Sequence, residues 1–563
     1  IASDVQPFYD EDEITIELQF QSLHDVHFTR GLLFDTPKSN KSYLYLFSLV
    51  GLLMLCMAAI NYINLTLADG ALRSKEVAVR KVAGADRASI LLQIFGENVL
   101  ITSLAFVMSL VLCIIVFPYF LQLTESKLSL SDFISFKPLF ILFLVFVGIN
   151  LLCSTYPALF FSSFSPAKVL KGKFIGGDKL QVQKVMLTTQ FVISAGMIIC
   201  TLVILKQMDF IRNRDSGLAL DQVVKVPLPL NENAQKRAVQ FRNALLQQSG
   251  IADASIAGFN AIPGGETDLD VFTVEGATET IKRVVSYIDV DDHYFDILDL
   301  DVIAGRRFIR DSEADKVGSY IVNEAYVSLM GWDSYEEDVL DRGVIVPDFY
   351  EQGVEGSIIG IVKDFNFRSV HHKIEPLIIV YSDEYPGFVL AKSATNNMTD
   401  VIGQIRDTWF NFYPEYVFDY AFLDEHYGKQ YDKENTMYKL FSLFTALSIF
   451  ITVLGLFSLS LITIRQKIKA IGIRRVLGAS MVNLLGEFNK EFMVIIGIAL
   501  LITMPLSWWI MNEWLDSFAY KAPLTMEVFI IAGLFSAFMT LITTSYHIIK
   551  AGNLNPVETL KHE

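Results

Sequence analysis

The chain contains the stretch Lys75-Glu76-Val77-Ala78-Val79-Arg80-Lys81-Val82-Ala83-Gly84-Ala85 and, 394 residues later, the matching stretch Lys469-Ala470-Ile471-Gly472-Ile473-Arg474-Arg475-Val476-Leu477-Gly478-Ala479. Leu46–Leu49 and Glu97 recur at the same offset, as Leu440–Leu443 and Glu491. Ser165–Lys171 recurs as Asn555–Lys561 at an offset of 390. A nearly constant offset between such distant segments predicts that the chain is an internal duplication.

The basic stretch lies between long apolar runs. Hydrophobic residues make up 52% of the 563 residues and charged residues only 19%, with a mean hydropathy of +0.40. A helix needs about 20 apolar residues to cross a bilayer. Seven runs meet this condition and predict spans near Tyr43–Leu67, Val99–Leu121, Leu139–Phe161, Val185–Leu205, Leu440–Ile464, Phe492–Trp514 and Val528–Ile549.

Basic residues set the expected orientation of these spans, because positively charged loops stay in the cytoplasm. Three short loops carry five each: Arg73, Lys75, Arg80, Lys81 and Arg87; Lys168, Lys171, Lys173, Lys179 and Lys184; and Arg465, Lys467, Lys469, Arg474 and Arg475. The intervening loops are poor in basic residues. We therefore expect the long polar segment between the fourth and fifth spans to lie outside the cytoplasm.

The predicted division of the chain follows from spans and loops. We expect the end of a first external domain over 1–41 and three spans of unit 1 over 42–184, with a coupling loop at 68–92 and a cytoplasmic loop at 162–184. Unit 2 then has its first span at 185–205, an external domain at 206–439, three spans over 440–550 with a coupling loop at 465–487, and a tail at 551–563. By this division unit 1 lacks a span and most of an external domain, so about 210 residues are expected before Ile1.

Charge and cysteines exclude several function classes. The formal charge is −16, and Lys206–Met437 holds 40 acidic against 21 basic residues. That acidity argues against nucleic-acid binding, which requires a basic surface. Cys56, Cys113, Cys153 and Cys200 all fall inside spans, so we expect neither disulfides nor a zinc site. The spans hold no acidic or basic residue deep inside them, which disfavours an ion-coupled carrier.

The repeated stretch reads as a short amphipathic helix that ends at a glycine with positive φ. Two roles remain open for it. Orientation and headgroup contact need only charge, whereas this stretch repeats apolar and glycine positions as well, which favours protein docking.

At these residues the chain resembles the FtsX-like permease family, which includes MacB-type exporters and lipoprotein-releasing permeases. The external segment is similar to that family's periplasmic core domain at four places: Val290–Phe295, Gly305–Phe308, Ile321–Ala325 and Ile358–Phe365. The resemblance implies a multi-pass α-helical protein of the bacterial inner membrane with an α+β extracytoplasmic domain.

The resemblance also implies that the repeated stretches are coupling helices that contact a cytoplasmic ABC ATPase, in two copies. The implied coupling residues are Lys75, Glu76, Val79, Arg80, Lys81, Gly84, Lys469, Ile473, Arg474, Arg475 and Gly478. ATP and Mg²⁺ would be bound by that partner. The string from Gly172 to Lys179 lacks the Gly-Lys-Ser/Thr ending of a phosphate-binding loop, so no cofactor is expected in this chain.

The external segment shows apparent strands at Val223–Val226, Val284–Val290, Ile358–Val362 and Leu377–Tyr381, and helices at Asn233–Gln248 and Val401–Phe412. We expect no catalytic or metal site. His293 reads as structural, and adjacent His371 and His372 point apart on a strand. The acidic residues of 289–301 read as solvated surface, and the aromatic residues of Trp409–Tyr431 as an interfacial belt or a stalk.

Two functions remain open from the sequence. One is ATP-driven export or extraction of an apolar or amphipathic substrate, such as a lipoprotein, peptide or drug. The alternative is mechanotransmission without transport, to a cell-wall hydrolase or to a sensor of antimicrobial peptides. Membrane lipid and a periplasmic adaptor or target protein are further candidate partners. No substrate-binding residue can be assigned.

Overall fold

The computed structural model describes most of the chain. The described residues are 41–68, 70–124, 129–162, 177–212, 216–265, 267–275, 280–310, 312–332, 339–346, 354–368, 373–382 and 386–553. The expected first domain end at 1–40, the Ser165–Lys171 and Asn555–Lys561 pair, and His371 and His372 lie outside them.

The first membrane repeat consists of helices joined by short turns. They are α1 (Lys41–Ala68), α2 (Gly70–Val82), α3 (Arg87–Thr124), the short α4 (Leu130–Phe133) and α5 (Phe136–Ser162). Helix α6 (Gly177–Arg212) follows and leads into the external domain. Each long helix is apolar over a stretch that can span a bilayer.

The external domain mixes strands and short helices. In chain order these are β1 (Val223–Pro227), α7 (Glu232–Gln235), α8 (Ala238–Leu245), β2 (Ile251–Gly258), β3 (Asp268–Glu275), β4 (Thr280–Val290), α9 (Tyr294–Leu298), β5 (Val302–Gly305), α10 (Glu313–Gly318), β6 (Ser319–Asn323), α11 (Glu324–Met330), β7 (Gly343–Val346), β8 (Val354–Val362), β9 (Leu377–Tyr381), β10 (Pro386–Ser393), α12 (Met398–Phe412), β11 (Ala421–Phe422) and α13 (Leu423–Gly428).

Six of these strands close into a barrel. Strand β4 pairs with β3, and the ring continues through β7, β8 and β6 to β9, which pairs in parallel with β4. Phe272, Tyr320 and Ile358 belong to the buried cluster that fills this part of the domain. Closure leaves the barrel without a free edge.

Four of the remaining strands extend the sheet in the order β11, β1, β10, β2, and β5 pairs with β8. Helices α8 and α12 cover one face of this part, where Phe241, Trp409 and Tyr413 are buried together. The expectation of a membrane belt is therefore wrong for Trp409 and Tyr413. Their rings are core residues of the external domain, because α12 turns its apolar face onto the sheet.

The second membrane repeat, whose first span is α6, continues where the external domain ends. A 3₁₀ turn (Lys429–Tyr431) leads into α14 (Asp432–Val476), and α15 (Met481–Leu515) and α16 (Met526–Gly552) follow. With α1, α3, α5 and α6 these give seven span-capable helices among the described residues, as the apolar runs predicted. The fold class is a multi-pass helical membrane protein with an α+β external domain.

The repeats contact each other through α1, which packs against α14 and α6. A buried cluster at this junction is rich in methionine and includes Met54, Met57, Met197 and Met208. The two halves of the duplication therefore share one membrane core.

Candidate functional site

Each repeated stretch forms one arm of a helical hairpin, which we call the repeat-1 hairpin (70–98) and the repeat-2 hairpin (464–491). In the first, α2 is an element of its own and turns into α3. In the second, the stretch is the last part of the 45-residue helix α14. The expectation of a short separate helix is thus wrong for the second copy, because Lys469–Val476 continues the span without a break.

Both arms end at a glycine in the left-handed region. The φ angle is 101° at Gly84 and 92° at Gly478, as the sequence predicted. The following residue, Ala85 or Ala479, donates its backbone N–H to the carbonyl of Arg80 (3.0 Å) or Arg474 (2.9 Å). This bond pattern caps the helix C-terminus and turns the chain sharply into the second arm.

One face of each arm is buried at matching positions. In repeat 1, Val77 and Ala78 pack with Ile90 and Ile94 of α3 and with Ala158 and Phe161 of α5. In repeat 2, Ile471 packs with Leu484 and Phe488 of α15 and with Ile548 and Ala551 of α16. The offsets between these residues are the 394 and 390 found in the sequence, so the duplication extends to the packing.

Arg80 and Arg474, which were predicted to dock the partner, form side-chain bonds within their own hairpins. Arg80 donates to Glu76 (2.6 Å) and to Gln93 on the opposite arm. Its counterpart Arg474 pairs with Glu487, which occupies the position equivalent to Gln93. The Arg80–Gln93 and Arg474–Glu487 bonds connect the two arms of each hairpin.

The other candidate residues lie in different environments. Lys81 donates its Nζ to the carbonyl of Ser162 at 2.6 Å and so ties α2 to the end of α5. Arg475 is exposed. The side chains of Lys75 and Lys469 are outside the described part of the structure.

The outward face of each arm is apolar at matching positions. Val79 and Val82 are 61% and 67% exposed, and their counterparts Ile473 and Val476 are 45% and 64% exposed. Leu477, next to the second turn, is 80% exposed. Val79 and Ile473 are among the residues that the resemblance implies for coupling. Val82 and Val476 lie in the same two repeated stretches.

A comparison with family models identifies these halves. Residues 48–166 and 442–556 each match the family model described as FtsX-like permease C-terminal. The chain carries two FtsX-like permease domains. The two matched segments contain the two hairpins, so the exposed apolar face recurs in both.

Solved structures are similar to a further part of this FtsX-like chain. The periplasmic region of MacB from Actinobacillus actinomycetemcomitans is 14% identical with a TM-score of 0.28, over 40% of this chain and 97% of that one. The extracellular domain of the noncanonic ABC-type transporter YknZ from Gram-positive bacteria is 13% identical with a TM-score of 0.24, over 35% and 98%. No curated protein matches the sequence.

The external domain of the FtsX-like chain has a buried charged network. Asp291 accepts from Arg242 (2.8 Å), from the Ser255 hydroxyl (2.6 Å) and from the Ile256 N–H (2.7 Å). The sequence reading of solvated surface is therefore wrong for Asp291 and its neighbour Asp292, which are 1% and 6% exposed. The His293 N–H also donates to Asp291, at 3.1 Å. A carboxylate satisfied by four donors is a structural anchor.

His293 extends this network and fits its structural reading. Its Nδ1 lies 2.6 Å from Asp253 Oδ1, and this hydrogen bond raises the pKa of the imidazole. Within the described ranges, no group of three or more His, Cys, Asp or Glu side chains converges as metal ligands would.

A small cleft of about 30 Å³ opens on the external domain. Its walls carry Arg368, Lys373 and Glu375 beside Thr267 and Ser286. Arg368 pairs with Glu375 at 3.1 Å across the cleft wall. The lining is mixed, because Phe365, Phe367, Ile374 and Leu377 add apolar surface beside the charged side chains.

Proposed function

We propose that the chain is the permease subunit of an ABC transporter in the bacterial inner membrane. A separate cytoplasmic ATPase, in two copies, binds ATP and Mg²⁺ and docks on the two hairpins. Its closure moves the external domains, which export or extract an apolar or amphipathic substrate. The single observation that carries the proposal is the matched exposed apolar face at Val79, Val82, Ile473 and Val476.

The physical argument rests on exposed apolar area at a hairpin tip. The loop charges predict that both tips lie in the cytoplasm. Apolar side chains that are exposed to water there are stabilised when a partner protein covers them. Burying one such side chain contributes about 1.5–3 kcal/mol. A rim of charged residues around a small apolar patch is typical of a protein interface.

The proposal is tested by placing a charge in this face. Val79→Asp combined with Ile473→Asp in the full-length permease should lower ATPase co-purification by about tenfold or more. The matched control is Ser89→Asp with Asn483→Asp, which adds the same charges at equivalent exposed positions on the other arm. Association that survives the first pair as well as the second contradicts docking on this face.

The alternative function is mechanotransmission without transport. In that case the charged side chains beside the external cleft, such as Lys373 and Glu375, would contact a protein partner. Crosslinking from Lys373 in intact cells distinguishes the two. A crosslinked periplasmic protein favours signalling, and a crosslinked lipid or lipoprotein favours export.

A further inference from the structure

Three amide side chains are buried together in the membrane where the two repeats meet. Asn61 and Asn64 lie on α1, three residues apart and therefore on neighbouring positions of one helix face. Gln190 lies on α6. Their exposed fractions are 9%, 2% and 0%, so lipid and bulk water do not reach them.

Two of these amides face the same point on α14. A Cβ built on Gly455 would lie 3.0 Å from Asn61 Oδ1 and 3.0 Å from Gln190 Oε1. Gln190 also donates its Nε2 to the Met57 carbonyl of α1 at 3.3 Å. Asn61 Oδ1 and Gln190 Oε1 thus meet close to the backbone of Gly455, at one point between α1, α6 and α14.

The amides are short of hydrogen-bond partners within the described protein. Asn61 Oδ1, Gln190 Oε1 and both polar side-chain atoms of Asn64 have none there. Other buried amides in the membrane have side-chain partners. Asn150 accepts from the Thr102 hydroxyl, and Asn489 bonds to Thr544 and Ser545. Asn98 accepts from the Tyr62 hydroxyl, although its Nδ2 has no partner within the described protein. An amide without hydrogen-bond partners raises the free energy of a protein inside a membrane. A small polar ligand bound at the cluster would remove that cost.

We propose that Asn61, Asn64 and Gln190 bind water between the two repeats, within the membrane interior. A water molecule both donates and accepts, and it usually makes 2–4 bonds in buried sites. The polar atoms without partners suit a water molecule, because Asn61, Asn64 and Gln190 each offer an acceptor oxygen and Asn64 also offers a donor. A cation fits less well, since the cluster holds no carboxylate and a buried ion requires compensation.

The site has a structural consequence for the contact between repeats. Elsewhere this junction is apolar and rich in methionine. Bridging water can change partners without leaving an amide unbonded, so α1 could shift against α14 at this point.

The test is electron cryo-microscopy of the permease in nanodiscs at a resolution that shows ordered water. Density within hydrogen-bond distance of Asn61 and Gln190 is expected. Gly455→Ala should remove it, because the new methyl group occupies the space between the two oxygens. Gly51→Ala, on α1 with nothing within 4 Å of its Cβ, is the matched control and should keep it.

Folding is checked by thermal unfolding of the same samples. Gly51→Ala should hold or raise the Tm, since alanine favours helix, and Gly455→Ala should lower it. Wild-type Tm should be equal in sodium, potassium and choline chloride. Amides bonded directly to each other with no density between them would overturn the proposal, and so would a Tm that rises with sodium or potassium alone.

Discussion

Gly84 and Gly478 show the duplication at the scale of one residue. Both adopt positive φ, and a Cβ at either would meet nothing within 4 Å. The requirement for glycine therefore comes from the backbone conformation and not from crowding. A β-branched residue is the least suited to this region.

Gly84→Val and Gly478→Val should each destabilise the hairpin turn by about 1–2 kcal/mol, the strain of a left-handed residue. Gly→Asn at the same positions is the control, because asparagine tolerates this conformation. The measurement is the Tm of the purified permease, followed by ATPase co-purification. Equal behaviour of the Val and Asn variants would show that the left-handed turn is not required.

Asp289 in the external domain predicts a pH effect. Burial raises the pKa of this carboxyl from 3.8 to about 6, although Asn260 donates to it at 3.0 Å. The fold therefore favours the protonated form. The stability that this group contributes is present below pH 3.8 and is lost as the pH rises through about 6.

Asp289→Asn should raise the unfolding midpoint at pH 7.5 and have little effect at low pH, by loss of that buried charge. Asp315→Asn is a control whose stability should change in the opposite direction. The hydrogen bond of the Asp315 carboxylate with Arg306 lowers the pKa of Asp315 to about 2. That variant should be less stable at neutral pH. An Asp289→Asn difference that does not change with pH would refute the assignment.

At the scale of elements, the Arg474–Glu487 pair joins the two arms of the repeat-2 hairpin. Arg474→Glu should open the hairpin and reduce ATPase association, and the swap Arg474→Glu with Glu487→Arg should restore both. The change in Tm should be small, because both side chains of the pair are about half exposed and solvent screens them. Association should be measured beside Tm.

Repeat 1 supplies the comparison for that experiment. Arg80 bonds to neutral Gln93 there, although Glu76 also pairs with it. If the swap restores Tm without restoring association, Arg474 contacts the ATPase directly. If it restores both, the arginine acts through the hairpin.

The spans were predictable because each is a long apolar run, and strand β9 was predicted at its observed bounds, Leu377–Tyr381. Strand β2 was missed. Its sequence, Ile251–Gly258, is rich in alanine with serine and glycine, which have little intrinsic strand preference. It is stabilised by pairing with β10, more than a hundred residues away, and no local pattern reports such a partner.

The sequence predicted the two repeated stretches, but it did not predict which side of each hairpin arm is buried and which is exposed. The repeat pointed to 75–85 and 469–479, and helical periodicity placed apolar residues on both sides of each arm. It could not decide that Val77 is buried and Val79 exposed, because that depends on where α3 and α5 pack. Likewise, Arg80 and Arg474 read as surface charges until their partners on the other arm were located.

At the scale of the whole molecule, the external domain has its own core. Three buried clusters, including the barrel filling, lie wholly within it. Residues 206–439 expressed alone should therefore fold and unfold cooperatively, since a domain of this size can bury a core. The measurement is denaturant unfolding followed by circular dichroism and tryptophan fluorescence. Aggregated product, or two probes with different midpoints, would contradict an independent domain.

Helix α14 runs from the external domain to the hairpin tip without interruption, over 45 residues. At 1.5 Å per residue it is a rod of about 68 Å. Such a helix tilts as a rigid body about the point where the surrounding helices pack most closely against it. One degree of tilt displaces one end by about 1 Å relative to the other. Under the proposed function, a small tilt at the hairpin end would therefore move the external end by about the size of an atom.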